Sequence, residues 1–344
     1  MRKILSILLT FVMLLSLAAC GSAANDKTTT ASEATASSAA VNEPETTSTP
    51  EVPSTVTVTT RNGAGETVEV EFPYDPQRLA VMDLAALDIL DNIGYGDRIV
   101  GVSKGSSIDY LQDYLTDDSL FNLGNVKEAD MEAVMESEPE IIFIGGRMSA
   151  MYDELVKIAP VYMVYTDTAK GVVESTAMNA RNIAALFGAE DQVDALVSEY
   201  NSRIQALQAA AEGKTAIVGM VNAGGFGLLG NDGRCSIIGT EIGFENVGVD
   251  ADVDTSAHGN EASFEFVLSK NPDYIFAMDR DAAIGTQGAQ LAAEVLDNEL
   301  INKTDAAQNG NVVVLEHSNV WYTAEGGITA LGVMLSDLES ALLK

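Results

Sequence analysis

Apolar and polar residues follow two periods along most of the chain. Over residues 55–71, β-branched and polar residues alternate on both sides of the turn-forming segment 62–65, which predicts an antiparallel hairpin. From residue 78, short apolar runs alternate with segments of helical spacing, and this predicts an α/β fold with mostly parallel central sheets. The predicted strands cover residues 79–82, 99–102, 141–144, 161–165, 215–221, 274–278 and 312–315, and the predicted helices cover residues 84–92, 149–158, 172–211 and 327–342.

One segment of this pattern occurs twice, at a constant offset of 133 residues. Residues 128–147 and 261–280 share Glu-Ala, a second Glu, a Val, a Pro, an Ile-Phe pair and a final Arg. In each copy an amphipathic helix ends before the Pro, which cannot continue a helix, and a buried strand follows. Arg147 and Arg280 come just after these strands, at the edge where open α/β sheets bind ligands.

The repeat predicts two lobes, because a single pair of copies at this spacing does not form a solenoid. We expect an N-terminal α/β lobe over residues 55–171, a linking helix over 172–212 that is interrupted at Gly188, and a C-terminal α/β lobe over 213–344. A helix that crosses between the lobes restrains the hinge. We therefore expect modest closure when a ligand binds.

The first residues predict export and lipidation. Arg2 and Lys3 precede an apolar run that is shorter than the roughly 20 residues of a spanning helix and ends in Leu-Ala-Ala-Cys-Gly. This pattern is similar to a bacterial lipoprotein signal, in which residues 1–19 are removed and Cys20 carries the lipid. Residues 20–54 are predicted to form a disordered tether, because Thr, Ser, Ala, Glu and Pro dominate them. The folded lobes would then be lipid-anchored at the extracytoplasmic face of the cell membrane.

The charge balance excludes two classes of partner. The chain of 344 residues has 19 Lys and Arg against 51 Asp and Glu, a formal net charge of −32. Nucleic acid and anionic lipid headgroups would both be repelled. The two cysteines do not form a disulfide framework, since Cys20 would be consumed by lipid.

Three of the nine arginines predict an anion site. The repeat places Arg147 and Arg280, and Arg234 lies in the glycine-rich connection 227–235. Converging guanidinium groups in an acidic protein predict a bulky, strongly anionic ligand, with about 1.5–3 kcal/mol for each charged hydrogen bond. Two alternatives stay open: Arg234 could be a turn residue paired with Asp232, and Lys104, after strand 99–102, could be a fourth cation or a solvated lysine.

The histidines and one tyrosine suggest limited metal chemistry. His258 and His317 are too few for a zinc or manganese cage of several His and carboxylate ligands. One imidazole and one phenolate oxygen would instead suit ferric iron. Tyr322, beside the only tryptophan, Trp321, is the candidate phenolate, and the alternative is a half-buried tyrosine that bonds through its hydroxyl.

Cys235 has no predicted partner. It could be the nucleophile of a surface-anchored cysteine hydrolase with His258 or His317 as the base. The surrounding residues match no family nucleophile signature, and a buried inert thiol is the alternative.

Several motifs together carry a resemblance to one family. They are 144–149 (Ile-Gly-Gly-Arg-Met-Ser), 233–234 (Gly-Arg), 258–260 (His-Gly-Asn), 271–285 (from Asn-Pro-Asp-Tyr-Ile-Phe to Ala-Ile-Gly) and 320–322 (Val-Trp-Tyr). From about residue 55 to its end the chain resembles the ferric-siderophore-binding lipoproteins of ABC importers, a type of class III substrate-binding protein. It most resembles those for catecholate siderophores such as petrobactin and enterobactin.

The resemblance implies roles for the candidate residues. Arg147, Arg234 and Arg280 would grip the catecholate oxygens, and His258 and Tyr322 would ligate iron where the siderophore leaves positions open. Iron would be part of the ligand rather than a resident cofactor. We also expect Trp321 to lie against the ligand and Lys104 to contribute charge.

The second Glu of each copy has an implied role as well. Glu132 and Glu265 match the paired acidic residues with which such proteins dock onto permease arginines, and two solvated helix glutamates are the alternative. The chain is thus expected to be a monomeric, non-enzymatic receptor. The same architecture could carry haem, cobalamin or a hydroxamate siderophore, although a hydroxamate complex has less negative charge and would not need three arginines.

Overall fold

The computed structural model describes residues 53–248, 260–261 and 263–343, with backbone only at 260–261. The predicted signal peptide, Cys20, the tether up to residue 52, and His258 lie outside the described residues. The predicted hairpin is present: β1 (Thr55–Arg61) pairs with β2 (Thr67–Pro73) in antiparallel register. The buried hydroxyl of Thr60 joins it to the lobe that follows, donating to the carbonyl of Met163 and accepting from its N–H group.

The first lobe is built on a parallel sheet whose strand order is β5-β4-β3-β8-β9. The strands of this lobe are β3 (Leu79–Val81), β4 (Ile99–Val102), β5 (Phe121–Asn122), β6 (Gly124–Asn125), β7 (Glu128–Ala129), β8 (Ile141–Gly145) and β9 (Val161–Val164), of which β6 and β7 form a separate antiparallel pair. Its helices are α1 (Leu84–Asn92), α2 (Gln112–Leu115), α3 (Met131–Glu136) and α4 (Tyr152–Leu155), with 3₁₀ turns at Gly96–Arg98, Asp109–Leu111 and Gly146–Met151. The predicted helix over 149–158 is therefore mostly a 3₁₀ turn and a single α turn.

The segment between the lobes is three helices instead of one. They are α5 (Gly171–Ala185), α6 (Glu190–Ser198) and α7 (Asn201–Ala211). The first break contains Gly188, where the sequence predicted an interruption of the helix. Its φ of 64° is positive, a conformation that glycine adopts readily. The second break is at Tyr200, whose hydroxyl donates to the carbonyl of Ile328 at 3.1 Å, and this docks the chain onto the last helix of the protein.

The second lobe has a mixed sheet with the order β13-β11-β10-β14-β15, and β12 also pairs with β10. Its strands are β10 (Thr215–Asn222), β11 (Gly225–Leu228), β12 (Glu245–Asn246), β13 (Asn260–Glu261), β14 (Tyr274–Asp279) and β15 (Val312–Val314). Its helices are α8 (Ile237–Thr240), α9 (Phe264–Lys270), α10 (Arg280–Ala283), α11 (Ala292–Leu296), α12 (Asp305–Gln308), α13 (Ser318–Thr323) and α14 (Ile328–Leu342), with a 3₁₀ turn at Ile301–Lys303. Within the described residues of this sheet, β11 is antiparallel to both of its neighbours, β10 and β13, and the other pairs are parallel.

One carboxylate joins the two lobes. Asp88 of α1 is fully buried and accepts hydrogen bonds from the N–H groups of Thr329 and Ala330 at 2.9 Å, so a first-lobe side chain caps α14. The largest hydrophobic core cluster contains residues of both α1 and α14. The α/β architecture with largely parallel central sheets confirms the predicted fold class. Among the described helices, none combines the length and apolar character that crossing a membrane requires.

Candidate ligand-binding site

A cavity of about 420 Å³ lies between the lobes. The first lobe lines it with Asp83, the 145–147 segment after β8 and the end of β9, and the second lobe with Arg234, Tyr322 and Glu325. The cavity is therefore at the carboxyl ends of parallel strands, as the position of the repeat predicted.

Tyr322 is the centre around which the three predicted arginines meet. The guanidinium carbons of Arg147, Arg234 and Arg280 lie 5.0, 4.7 and 5.6 Å from the centroid of its ring. These distances are in the range of cation–π contacts. The structure thus brings together three positive charges from loops that are far apart in the chain, and it places a phenol among them.

Two of the arginines are anchored in different ways. Arg147 donates a hydrogen bond from Nη2 to the backbone carbonyl of Tyr322, across the cleft. Arg280 donates from Nε to the hydroxyl of Tyr322 at 3.1 Å and from Nη1 to Asn222 Oδ1 at 2.9 Å. Its Nη1 is also 3.8 Å from the carboxylate of Asp281.

The arginines change the acidity of the phenol. Burial opposes ionisation of Tyr322, but the hydrogen bond and charge of Arg280 and the charges of Arg234 and Arg147 together outweigh it, so the pKa of Tyr322 is lowered. A phenol with a lowered pKa is available as phenolate, the form that a hard cation binds, at a lower pH than usual. The role of Tyr322 as an iron ligand stays a prediction.

The loop that carries Arg147 depends on a glycine. A Cβ atom on Gly145 would lie 2.2 Å from Oδ2 of Asp83, whose other oxygen caps α1 by accepting from Ala85 and Ala86. Burial raises the pKa of Asp83, although the N–H of Ala86 and the charge of Arg147 oppose this. The end of β8 and the start of α1 thus fit together only because residue 145 has no side chain.

The loop that carries Arg280 is held by carboxylates of its own segment. Asp279 is buried and accepts from the N–H groups of Ala282 and Ala292 at 2.9 and 2.6 Å, which caps α10. Asp281 accepts from the N–H of Ala223 at 2.6 Å and so ties α10 to the end of β10.

Two residues that the sequence predicted as ligand contacts do not line the cavity. Trp321 is fully buried and its Nε1 donates to Asp337 at 2.9 Å, so it faces the core and not the cavity. Lys104 donates from Nζ to the backbone carbonyl of Asp117 at 2.6 Å, and it does not belong to the described cavity wall. His317, the extra histidine, places its Nδ1 2.7 Å from Asp337 Oδ1.

Two acidic residues of the cavity were not predicted. Asp83 and Glu325 line it beside the arginines. Burial raises the pKa of Glu325 to about 7, opposed by Arg234, by the backbone N–H of Cys235 and by Arg147, and reinforced by Glu241. Nothing in the local sequence distinguishes these two residues from the other carboxylates of a very acidic chain.

The surroundings of Cys235 disfavour its thiolate form. Its thiol is buried, and burial together with the negative charge of Glu325 raises its pKa well above the usual value despite Arg234. A nucleophilic cysteine requires the opposite shift. The buried inert thiol, one of the two interpretations of the sequence, fits this environment.

Comparison with known proteins identifies the class of protein. A family model described as periplasmic binding protein matches residues 79–318, and the chain belongs to that family. This confirms the resemblance inferred from the motifs around the arginines.

Two individual proteins are similar to this chain over most of its length. The petrobactin-binding protein YclQ of Bacillus subtilis (strain 168) is 32% identical over 276 residues, which cover 80% of this chain and 85% of YclQ. The crystal structure of YclQ gives a TM-score of 0.76 and covers 84% of this chain and 99% of that chain. The periplasmic catecholate-siderophore binding protein VctP of Vibrio cholerae gives 0.75 at 30% identity, covering 83% of this chain and 100% of VctP.

Proposed function

We propose that this protein captures a ferric catecholate siderophore outside the cytoplasm and delivers it to an ABC importer. The observation that carries the proposal is the convergence of three guanidinium groups on Tyr322, a phenol that lines a cavity between two lobes together with Arg147 and Arg234. The relatives YclQ and VctP, whose names specify petrobactin and catecholate siderophores, support the same ligand class.

The charges of the site and of the ligand are complementary. A ferric tris-catecholate is trianionic, so three guanidinium groups neutralise it, and their planar faces can also stack on the catechol rings. Because the cavity is partly shielded from water, these interactions are less screened than at an open surface. A complex of lower negative charge, such as a ferric hydroxamate, would leave arginine charge uncompensated.

Iron could also be bound directly by the protein. A siderophore with fewer than six donor atoms leaves iron positions open, and the Tyr322 phenol would fill one of them; its lowered pKa supports this proposal because it favours the phenolate. His258 remains the proposed imidazole ligand and lies outside the described residues.

The remaining predicted residues would anchor the protein to the membrane and dock it onto the permease. Cys20 would carry the lipid that holds the receptor at the extracytoplasmic face of the membrane. Glu132 and Glu265 are exposed in the first turns of α3 and α9, the equivalent helices of the two copies, and would meet basic residues of the permease. Two such points on equivalent helices suit a transporter with approximate two-fold symmetry.

Titration of the purified protein with ferric complexes tests the ligand class. Ferric enterobactin should bind much more tightly than a ferric hydroxamate, as measured by calorimetry. The Arg147→Ala, Arg234→Ala and Arg280→Ala variants should each weaken binding by roughly 10- to 150-fold, the equivalent of about 1.5–3 kcal/mol. Arg181→Ala, which removes an exposed arginine paired with Asp194, is the matched control and should bind as the wild type does. Equal affinity for both kinds of complex would contradict the proposal.

Uptake by whole cells tests the docking assignment. Glu132→Ala combined with Glu265→Ala should leave ligand affinity unchanged and abolish import of radioactive ferric siderophore. Glu136→Ala combined with Glu294→Ala removes the same charge from exposed positions of α3 and α11 and should import normally. Normal import by the first double variant would exclude these glutamates from docking.

A further inference from the structure

One carboxyl group of the cavity has no role in the function proposed above. Glu325 lies between α13 and α14, a few residues after Tyr322, and lines the cavity together with Arg147 and Arg234. Its Oε1 atom is buried and has no hydrogen-bond partner among the described residues. A buried acceptor without a partner is uncommon in folded proteins, and its position beside the ligand space makes a role toward the ligand the simplest explanation.

The charged and titratable groups around Glu325 come from both lobes and act in opposite directions on its ionisation. Arg234 and Arg147 favour its ionised form, as does the backbone N–H group of Cys235, whereas burial and the charge of Glu241 favour its neutral form. Three other titratable groups line the cavity: Asp83 and Tyr165 from the first lobe and Tyr322 from the second. Glu241 is itself held in place, since its Oε1 accepts from the N–H of Val173 at 3.1 Å.

An anionic ligand would change this balance in one direction. When Arg147 and Arg234 bond to catecholate oxygens, their charge is compensated by the ligand and stabilises the Glu325 carboxylate less. The ligand also brings negative charge to the buried carboxylate, where screening by water is weak. Both effects favour the neutral acid.

We propose that Glu325 takes up a proton when the anionic ferric complex binds and then offers its carboxyl hydrogen to the ligand. This inference rests on the proposed function, because it needs an anionic ligand in the arginine cavity. It adds a fourth side chain to the recognition of that ligand, and it makes binding depend on pH. The neutral acid also preserves the full positive charge of the arginines for the ligand.

The direction of the pH dependence follows from the two states. In the empty site the pKa of Glu325 is about 7, and in the loaded site it is higher. Well below pH 7 the group is protonated in both states and affinity does not depend on it. Above pH 7, binding takes up to one proton from solution, and affinity falls by as much as tenfold for each pH unit until the higher pKa is passed.

Calorimetry of the purified protein with ferric enterobactin tests this directly. At about pH 8, titrations in two buffers of different ionisation enthalpy give the number of protons taken up per complex bound. The wild type should take up nearly one proton at this pH and almost none at about pH 6. This comparison needs no variant, so it holds even where a substitution disturbs folding.

The isosteric variant assigns the proton to this residue. Glu325→Gln is neutral at every pH, so its proton count at about pH 8 should fall to near zero, and its affinity should no longer decline between about pH 7 and pH 9. Glu294→Gln, at an exposed position of α11, is the control and should keep the wild-type count. Ferric binding without proton uptake, or the same uptake in Glu325→Gln, would overturn this inference and leave the proposed function intact. Failure of the wild type to bind ferric enterobactin would overturn both.

Discussion

The two copies of the repeat place an arginine at the same position but hold it differently. Arg147, at the end of the first copy, reaches across the cleft and bonds to the backbone carbonyl of Tyr322 in the other lobe. Arg280, at the end of the second copy, is fixed within its own lobe by Asn222, Asp281 and the Tyr322 hydroxyl. Arg280 is therefore held in position for a ligand whether the cleft between the lobes is open or closed, whereas the position of Arg147 depends on how the lobes are arranged.

The backbone before each arginine shows the same contrast. The second copy has Asp279, which caps its own helix, where the first copy has Gly146. In the first copy the nearby carboxylate comes from Asp83, at the end of a neighbouring strand, and it occupies the space that a side chain at residue 145 would need. The two copies thus share the strand and the arginine but differ in the carboxylate that holds the backbone before the arginine.

Removing the anchor of the second copy should have the largest effect. Asp279→Ala would leave the buried N–H group of Ala292 without its acceptor and would remove the cap that Asp279 provides to the N–H group of Ala282. We expect the free energy of unfolding to fall by about 2–4 kcal/mol, since an orphaned buried donor costs about 1–3 kcal/mol and a lost helix cap about 1 kcal/mol. Urea denaturation followed by circular dichroism measures the change.

The equivalent position of the first copy supplies the control. Gly146→Ala adds a Cβ atom that meets nothing within 4 Å, so the free energy of unfolding should change by less than about 0.5 kcal/mol. Equal losses in both variants would show that the two anchors do not differ.

Filling the space beside the first anchor should have an intermediate effect. In Gly145→Ala the new methyl group would overlap the Asp83 carboxylate, and such overpacking costs about 1–3 kcal/mol. Thermal unfolding measures the loss. Because the clash is with Asp83, the same substitution should cost much less in an Asp83→Ala background, and an unchanged cost there would mean that some other contact is responsible.

The parts of this comparison that were predictable are those set by local sequence. The strands before Arg147 and Arg280 are continuous apolar runs buried on both faces, which is a strong pattern, and the repeat then located the arginines at their ends. Trp321 was misassigned because it is the neighbour of Tyr322. Successive residues of a helix point in different directions, so when Tyr322 faces the cavity Trp321 faces the core.

The parts that were missed are set by contacts between distant segments. The apolar stripe of the linking segment continues past Tyr200, and the break there reflects a hydrogen bond to Ile328, more than a hundred residues away. Glu325 is one of 51 acidic residues in the chain, and its raised pKa comes from burial in the folded protein and from the charge of Glu241. No local pattern distinguishes such a residue before the tertiary structure is known.

The smallest expected effect is a change in the pKa of Tyr322, and it distinguishes the influence of Arg280 on the phenol from that of Arg147. Arg280 lowers the pKa of Tyr322 through both a hydrogen bond and its charge, whereas Arg147 acts only through charge. In Arg280→Ala the phenol should therefore ionise at a distinctly higher pH than in the wild type, because burial is then opposed by two charges alone. In Arg147→Ala the rise should be smaller. Phenolate absorbance across a pH titration, with the Tyr322→Phe variant subtracted to remove the other tyrosines, measures both changes.

This experiment also tests how strongly Arg147, which comes from the first lobe, influences a phenol of the second lobe. If Arg147→Ala raised the pKa of Tyr322 as much as Arg280→Ala did, the cross-lobe arginine would be as firmly fixed against the phenol as the one held within the lobe. The contrast between the copies would then be one of hydrogen-bond partners only. A smaller rise means instead that the phenol is tuned mainly by its own lobe, so that opening of the cleft would remove one arginine from the ligand and leave the acidity of its phenol nearly unchanged.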